Sequence, residues 1–382
     1  MFKKLIAILL IAALFITSCF SAAGSPAINT ADVITMLRVL VGADTETDTT
    51  YMDRNGDGSF SLADAIEALR VVAGDYRIWQ QDESGTTIRL MTQNIRYANS
   101  LTGTGDGTNN TLALRQYRFK ALVEKYDPDV ICMQEVTPLW IEQLQTLLGD
   151  TYSIEYKMRS EKSKEATPVL YKTAKYELLQ VKHFWLSETP DVESSCYGEI
   201  GIPARISTAV WLKDKATGAE FCAVSTHFGL GGGQVVQGAG NQLADMLAAM
   251  PEGSNAFVLG DFNDSYQSTT YKTYCDADRM IDLRDVTAEM AGCSIGSMGT
   301  LKNGTFSGFN VNKSEGNGSY IDHVMAKPNA NMALEYYSVL YDQLGDTANN
   351  VTEGYVSDHF AVLCDVRIET TPSYVDFYPS YK

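Results

Sequence analysis

The chain has 382 residues, 45% of them hydrophobic, and carries 47 acidic against 30 basic side chains for a net charge of −17. That length suggests about two domains, with ample apolar content for a buried core. The acidic balance argues against non-specific electrostatic gripping of nucleic acid or an anionic membrane by the chain as a whole.

The N-terminus has the form of a targeting segment. Lys3-Lys4 precede an apolar run from Leu5 to Ile16, followed by Thr17-Ser18-Cys19 and small residues. The run is too short to span a bilayer and suits a secretory h-region, so residues 1–23 are read as a signal peptide. Ile16-Thr17-Ser18-Cys19 resembles a bacterial lipobox, which implies lipidation of Cys19; cleavage near Ala22-Ala23 is the alternative. Either route predicts an extracellular or cell-surface protein, held to a bacterial membrane only through the lipid. Cys132, Cys222 and Cys364 lie inside apolar strand-like runs, where a thiol acts as a small buried hydrophobe. No cysteines show zinc-type CxxC spacing, and Cys275 and Cys293 remain as a pair that could bridge.

Residues 24–76 contain a repeat. Ile28 to Gly42 and Phe60 to Gly74 align with an aspartate, an arginine and a closing glycine in register (Asp32/Asp64, Arg38/Arg70, Gly42/Gly74), and each copy has helical spacing. Before the second helix, Asp53, Asn55, Asp57, Ser59, Ser61 and Asp64 occupy positions of an EF-hand-type loop with Gly58 at its sixth place. Hard oxygens at this spacing, with the Ser59 backbone carbonyl among them, wrap one Ca²⁺. Ser61 and Asp64 could equally cap the helix, but capping has no use for Asp53, Asn55 and Asp57. The duplicated unit resembles a dockerin, which implies a small all-α calcium-binding domain and a cohesin-bearing scaffold as partner. The first copy lacks an Asp-rich loop, so one calcium site is expected.

Residues 77–87 are polar and turn-rich and read as a linker; 88–368 then alternate strands with helices. Ile88 to Arg96 alternates like a strand and displays Asn94. A helix is expected from Leu114 to Lys125, and Asp129 to Glu135 reads as a buried strand ending on a carboxylate. A second helix spans Trp140 to Leu148. Shorter strands follow at Tyr152–Met158, Pro168–Tyr171, Tyr176–His183, Ile206–Leu212 and Phe221–His227. Lys157, Arg159, Lys162, Lys164, Lys172 and Lys175 form a local basic excess, either a solvated loop or a face for phosphate. Gly229 to Gly233 reads as a flexible loop before a helix from Asn241 to Met250. Ala256 to Gly260 is a buried strand delivering Asp261 and Asn263, which would share a face on an extended chain; a strand followed by an Asx-rich turn is the alternative for this stretch alone. Asp322-His323 and Asp358-His359 each stand at the start of an apolar run, and the aromatic tail 369–382 is unassigned.

Thr92-x-Asn94-Ile95-Arg96, Gln134-Glu135, Thr226-His227, Gly260-Asp261-Phe262-Asn263, Ile321-Asp322-His323 and Ser357-Asp358-His359, in that order, resemble the endonuclease/exonuclease/phosphatase superfamily. That family includes deoxyribonucleases, repair nucleases, sphingomyelinases and inositol polyphosphate phosphatases. The resemblance implies a two-sheet α/β sandwich and metal-assisted hydrolysis of phosphate esters. It implies Mg²⁺ or Mn²⁺ at Glu135 with Asn94 and Asp358, and water activation by Asp261 with Asn263 helping to fix the phosphate. His359, oriented by Asp322, and His227 would serve the phosphoryl oxygens and leaving group, with Tyr171 nearby. Phe184 to Pro190 further resembles a bacterial branch of metal-dependent hydrolases, from which Gly229 to Gly233 departs.

A phosphodiesterase or nuclease is the first expectation, working as a monomer. A phosphomonoesterase on sugar or inositol phosphates, or a sphingomyelinase-type phospholipase C, is the alternative within the class. A non-catalytic cell-surface interaction module is the alternative outside it.

Overall fold

Thr86 to Asn94 alternates in side-chain character, and in the computed structural model it forms a strand whose odd and even positions face different layers. The structure describes residues 85–369, except 195, 199–202, 231, 291–303, 310–318 and 330–331, together with 30–45 and scattered positions between 47 and 77. The signal segment with Cys19, the calcium-loop positions Asp53, Asn55, Asp57, Ser59 and Asp64, Cys293 and the tail from 370 lie outside the described residues. Within the N-terminal repeat, helix α1 (Thr30–Leu40) buries Val33 and Met36 against Met52, Ala65 and Ala68. Ser61 is half-buried.

The strands are β1 (Tyr76–Arg77), β2 (Thr86–Asn94), β3 (Val130–Gln134), β4 (Tyr152–Glu155), β5 (Val169–Lys172), β6 (Tyr176–Trp185), β7 (Ile206–Asp214), β8 (Glu220–His227), β9 (Ala256–Asp261), β10 (Ile281–Asp282), β11 (Asp322–Ala326), β12 (Met332–Leu340), β13 (Leu344–Asp346), β14 (Val351–Gly354) and β15 (Ala361–Ile368). The helices after α1 are α2 (Leu112–Tyr126), α3 (Pro138–Leu148), α4 (Gly233–Ala249), α5 (Tyr271–Tyr274) and α6 (Leu283–Met290). One seven-stranded sheet runs β1-β12-β15-β2-β3-β5-β4, and a six-stranded sheet runs β10-β11-β9-β8-β7-β6.

Each sheet holds one parallel pair, β2–β3 and β8–β9, with antiparallel neighbours around it. Parallel neighbours require a crossover, and α2 and α4 supply the two. The sheets face one another over Ile88, Leu90, Val130, Cys132, Phe221, Phe257, Leu259 and Val324. Helices α2 and α3 cover the outer face of the first sheet, where Met91, Ile131 and Met133 meet Phe119, Leu122 and Trp140. Helix α4 covers the second, with Leu243 and Leu247 packed among Cys222, Val224 and Val258. The result is an α/β sandwich of two mixed sheets, with Cys132, Cys222 and Cys364 buried in it.

Several elements differ from the sequence expectations. Helix α4 begins at Gly233, eight residues before Asn241, so the glycine run ends in a helix rather than a loop. Its glycines serve packing: a Cβ on Gly240 would stand 2.2 Å from the Tyr274 ring. Strand β15 starts at Ala361, which leaves Asp358 and His359 in the segment leading into it. Strands β12 to β14 carry mixed, half-buried side chains, so no clean alternation announced them. Strand β2 opens at Thr86, inside the stretch read as linker.

At the end of the sandwich remote from these acids and histidines, Asp129 accepts from the Arg89 backbone amide at 3.0 Å and from Lys175 and Lys172 at 2.7 and 3.2 Å. Burial raises its pKa, but the Lys175 and Arg89 hydrogen bonds and the lysine charges outweigh that and hold it below the ordinary value. A carboxyl lowered in the fold contributes stability above its unfolded pKa and loses it as pH falls through the folded one. Asp129→Asn should therefore lower Tm by a few degrees at pH 7, with the gap to wild type narrowing below about pH 4. A gap that stays constant from pH 7 to pH 3 in thermal melts would contradict this.

Candidate active site

The rows of side chains between the sheets change character along their length. On β2 the row reads Ile88, Leu90, Thr92, Asn94; on β8 it reads Phe221, Ala223, Ser225, His227; on β9 it reads Phe257, Leu259, Asp261. Apolar contacts fill the sandwich at one end and polar groups close it at the other. Thr92 donates to Gln134 at 3.3 Å, Gln134 donates to Ser225 at 3.3 Å, and Ser225 donates to the Met133 carbonyl at 2.9 Å. This buried chain ties the two sheets together just beneath the site.

Register places the next layer. The parallel β8–β9 pairing sets His227 opposite Asp261, and the antiparallel β9–β11 pairing sets Asp322 opposite Asp261. Asp261 is thus the hub. Its Oδ2 accepts from Asn94 Nδ2 at 2.9 Å and lies 3.5 Å from His227 Nε2 and 3.8 Å from His359 Nε2. His359 Nδ1 bonds Asp322 at 2.8 Å. Asn94 Nδ2 also donates to Glu135 Oε1 at 3.2 Å, and Glu135 Oε2 accepts from the Tyr97 amide at 3.0 Å. Glu135 turns out of β3 with φ 61°, in the left-handed region. Asp358 completes the rim, 3.7 Å from Arg96 Nε and hydrogen-bonded by Ser357.

Electrostatics divide the two histidines. Burial opposes charge on His359, yet the carboxylates of Asp322 and Asp261 outweigh it and lift the imidazole to about 10. His227 sits well below its ordinary value because of burial and the nearby charges of Arg205, Arg159 and His359. Near neutrality one imidazole is a cation and the other is neutral. Asp261 is pushed up to about 6 by burial and by the Asp322 charge, against the pull of His359 and its hydrogen bonds. Burial, with the Glu135 charge adding to it, also raises Asp358.

Two sequence expectations are corrected. Asn263 does not share an extended face with Asp261: β9 ends at Asp261, and Asn263 has φ 48°. Its amide caps Asp261 Oδ1 at 2.8 Å and its side chain donates to the Phe228 carbonyl at 3.0 Å, so it braces the turn. Tyr171 faces the inner core, but β5 runs antiparallel to β3 and places it opposite Val130, at the far end of β3 from Glu135. Its place in the register is set by a long-range pairing that local alternation does not encode.

The structure brings in two arginines the motifs missed. Arg159 and Arg205, each 7% exposed, line a cleft with Glu135, Glu165, Thr167 and His227. Arg159 belongs to the basic excess of 157–175, whose Lys172 and Lys175 instead bind Asp129 at the remote end. Only its burial separates it from that run.

A two-sheet sandwich with carboxylates, an asparagine and a charged histidine gathered at its strand ends defines a phosphate-ester hydrolase. The chain belongs to the Endonuclease/Exonuclease/phosphatase family, whose pattern matches residues 91–359. Among solved structures it is similar to an endonuclease/exonuclease/phosphatase from Bacteroides vulgatus, with 25% identity, TM-score 0.60, and 74% of this chain and 100% of that one covered. A mannosyl-6-phosphatase from Bacteroides thetaiotaomicron shows 23% identity and TM-score 0.60, over 73% of this chain and 99% of its own. TDP2 from D. rerio, complexed with a single-strand DNA product, shows 13% identity and TM-score 0.54, over 74% and 99%. No curated protein matches the chain.

Proposed function

We propose that the protein is an exported, divalent-metal-dependent phosphoesterase in which Asp261 activates the attacking water. The observation that carries this reading is the convergence of Asn94, His227, Asp322 and His359 on Asp261, beside Glu135. Water adds to phosphorus and gives its proton to Asp261, while the ester P–O bond breaks and the leaving oxygen takes a proton from bulk water. A carboxyl with a pKa of about 6 is ionised at neutral pH and still basic enough for this. His359, held by Asp322, presents positive charge to the phosphoryl oxygens, which grow more negative in the transition state. His227, neutral, hydrogen-bonds the same group. Asn94 links Asp261 to Glu135 and keeps the two carboxylates in fixed relation.

The residues fit a hard cation on the Glu135 side. Glu135 and Asp358 are oxygen donors, the Glu135 charge adds to what raises the Asp358 carboxyl, and Asn94 adds a carboxamide. The Asp261–Asp322–His359 cluster is a poorer seat, because the charged imidazole repels a cation. Mg²⁺ or Mn²⁺ bound at Glu135 and Asp358 would neutralise a non-bridging oxygen and the developing charge on the leaving group. Dialysis against EDTA should reduce hydrolysis of p-nitrophenyl esters by about 10³-fold or more, with recovery on adding Mg²⁺ or Mn²⁺. Full activity in the metal-free protein would overturn the proposal.

Export rests on the apolar segment at Leu5 to Ile16 and the lipobox at Cys19, and scaffold attachment through Ca²⁺ and a cohesin on the loop from Asp53 to Asp64. Among substrates, the acidic surface disfavours duplex DNA and leaves short or single-stranded diesters, sugar or inositol phosphates and phospholipid head groups.

A further inference from the structure

We infer that Arg205 and Arg159 form an anion-binding subsite beside His227 and Glu135, and that it selects phosphate monoesters over diesters. The inference rests on the phosphoesterase reading above and names the substrate class.

The two guanidiniums of the cleft differ in their hydrogen-bond partners. Arg159 is matched: its guanidinium donates to Glu165 at 2.7 Å and to Ser163, and its backbone carbonyl accepts from the Trp185 indole at 2.9 Å. Arg205 is not. Its Nε and Nη1 are buried with no hydrogen-bond partner among the described residues, although its charge reaches Glu165 across the cleft. An unmatched buried cation is costly to a fold and persists where an anion completes it. Lys172 and Lys175, by contrast, both meet Asp129.

The position of the arginine assigns the anion. Arg205 precedes β7, whose first residue Ile206 lines the same cleft with Ala166 and Thr167. His227 lines the cleft too and lies 3.5 Å from Asp261, so a group seated in it is adjacent to a phosphorus placed against Asp261. The guanidinium charges add to burial in holding His227 well below its ordinary value. A dianionic monoester has three non-bridging oxygens. His359 with the Glu135 side of the site can engage two of these, and the third is left for the fork of Arg205. A diester replaces that third oxygen with a second ester substituent, which would press an uncharged group against the buried guanidinium and leave it unmatched.

Kinetics on the Mg²⁺-loaded enzyme test this with p-nitrophenyl phosphate and bis-p-nitrophenyl phosphate, for wild type, Arg205→Ala and Arg205→Lys. Arg205→Ala should lose at least about 30-fold more kcat/KM on the monoester than on the diester, and inorganic phosphate should inhibit it at least about 10-fold more weakly. Arg205→Lys, which keeps the charge and loses the fork, should fall between. Equal losses on both esters, or unchanged phosphate inhibition in a variant that melts like wild type, would overturn the subsite. If Arg205→Ala fails to fold, the Arg205→Lys ratio decides in the same way. A wild type that hydrolyses neither ester would overturn the phosphoesterase reading itself, whereas diester cleavage with an unchanged ratio removes only the subsite.

Discussion

Asp261→Asn should lower kcat by about 10²–10⁴-fold on any ester the enzyme turns over, while Tm stays level or rises. The loss follows from removing the group that takes the water's proton; the amide has the same size and none of the basicity. The stability effect has the opposite sign for a physical reason. In the fold the carboxyl is lifted to about 6, above an ordinary aspartate, so the unfolded chain releases that proton first. Stability therefore falls as pH rises through that window, and above about pH 6 the ionised carboxylate is a standing cost on the order of 1–3 kcal/mol. The asparagine removes that charge and its repulsion from Asp322. It still accepts from the Asn263 amide but loses the acceptor for Asn94, which offsets part of the gain. Stopped assays with parallel thermal melts decide the matter: a kcat within tenfold of wild type removes Asp261 from the base role, and a collapsed Tm makes it a structural residue.

Gly260→Ala should be the more damaging change, costing about 4 kcal/mol or more and abolishing activity with the fold. A Cβ at this position would stand 2.0 Å from the Thr226 carbonyl oxygen and 3.0 Å from the Thr226 side chain. The first clash is with backbone, so no rotamer relieves it. Strands β8 and β9 would have to separate where their pairing aligns His227 with Asp261. Equilibrium denaturation would show the loss, and a variant with wild-type stability would mean the strands tolerate spreading here.

Much of the site could be read from the chain because catalytic groups terminate apolar runs. Val130 to Gln134 ahead of Glu135, Phe221 to Thr226 ahead of His227 and Ala256 to Gly260 ahead of Asp261 are patterns that only a buried strand ending at a polar rim produces. Other residues carried no such mark. Arg205 immediately precedes β7, with nothing local to separate it from a surface arginine. Asn263 was misplaced because a two-residue step means one face only while the chain remains extended, and its backbone turns left-handed. Tyr171 was misplaced because its partner across the sheet lies some forty residues away in the chain, beyond the reach of any local pattern. Helix α4 was cut short because glycine lowers helix propensity, while Gly240 is required by the ring stacked against it.

The hydrogen-bond ladder that sets His227, Asp261 and Asp322 side by side has a consequence for how such an enzyme can change. The reacting groups take their positions from strand pairing and from the buried Thr92–Gln134–Ser225 chain beneath them. The segment 159–167 borders the cleft without holding that geometry. Descent with modification can therefore retool what enters the cleft by editing that border, while the chemistry is inherited intact from the sheets.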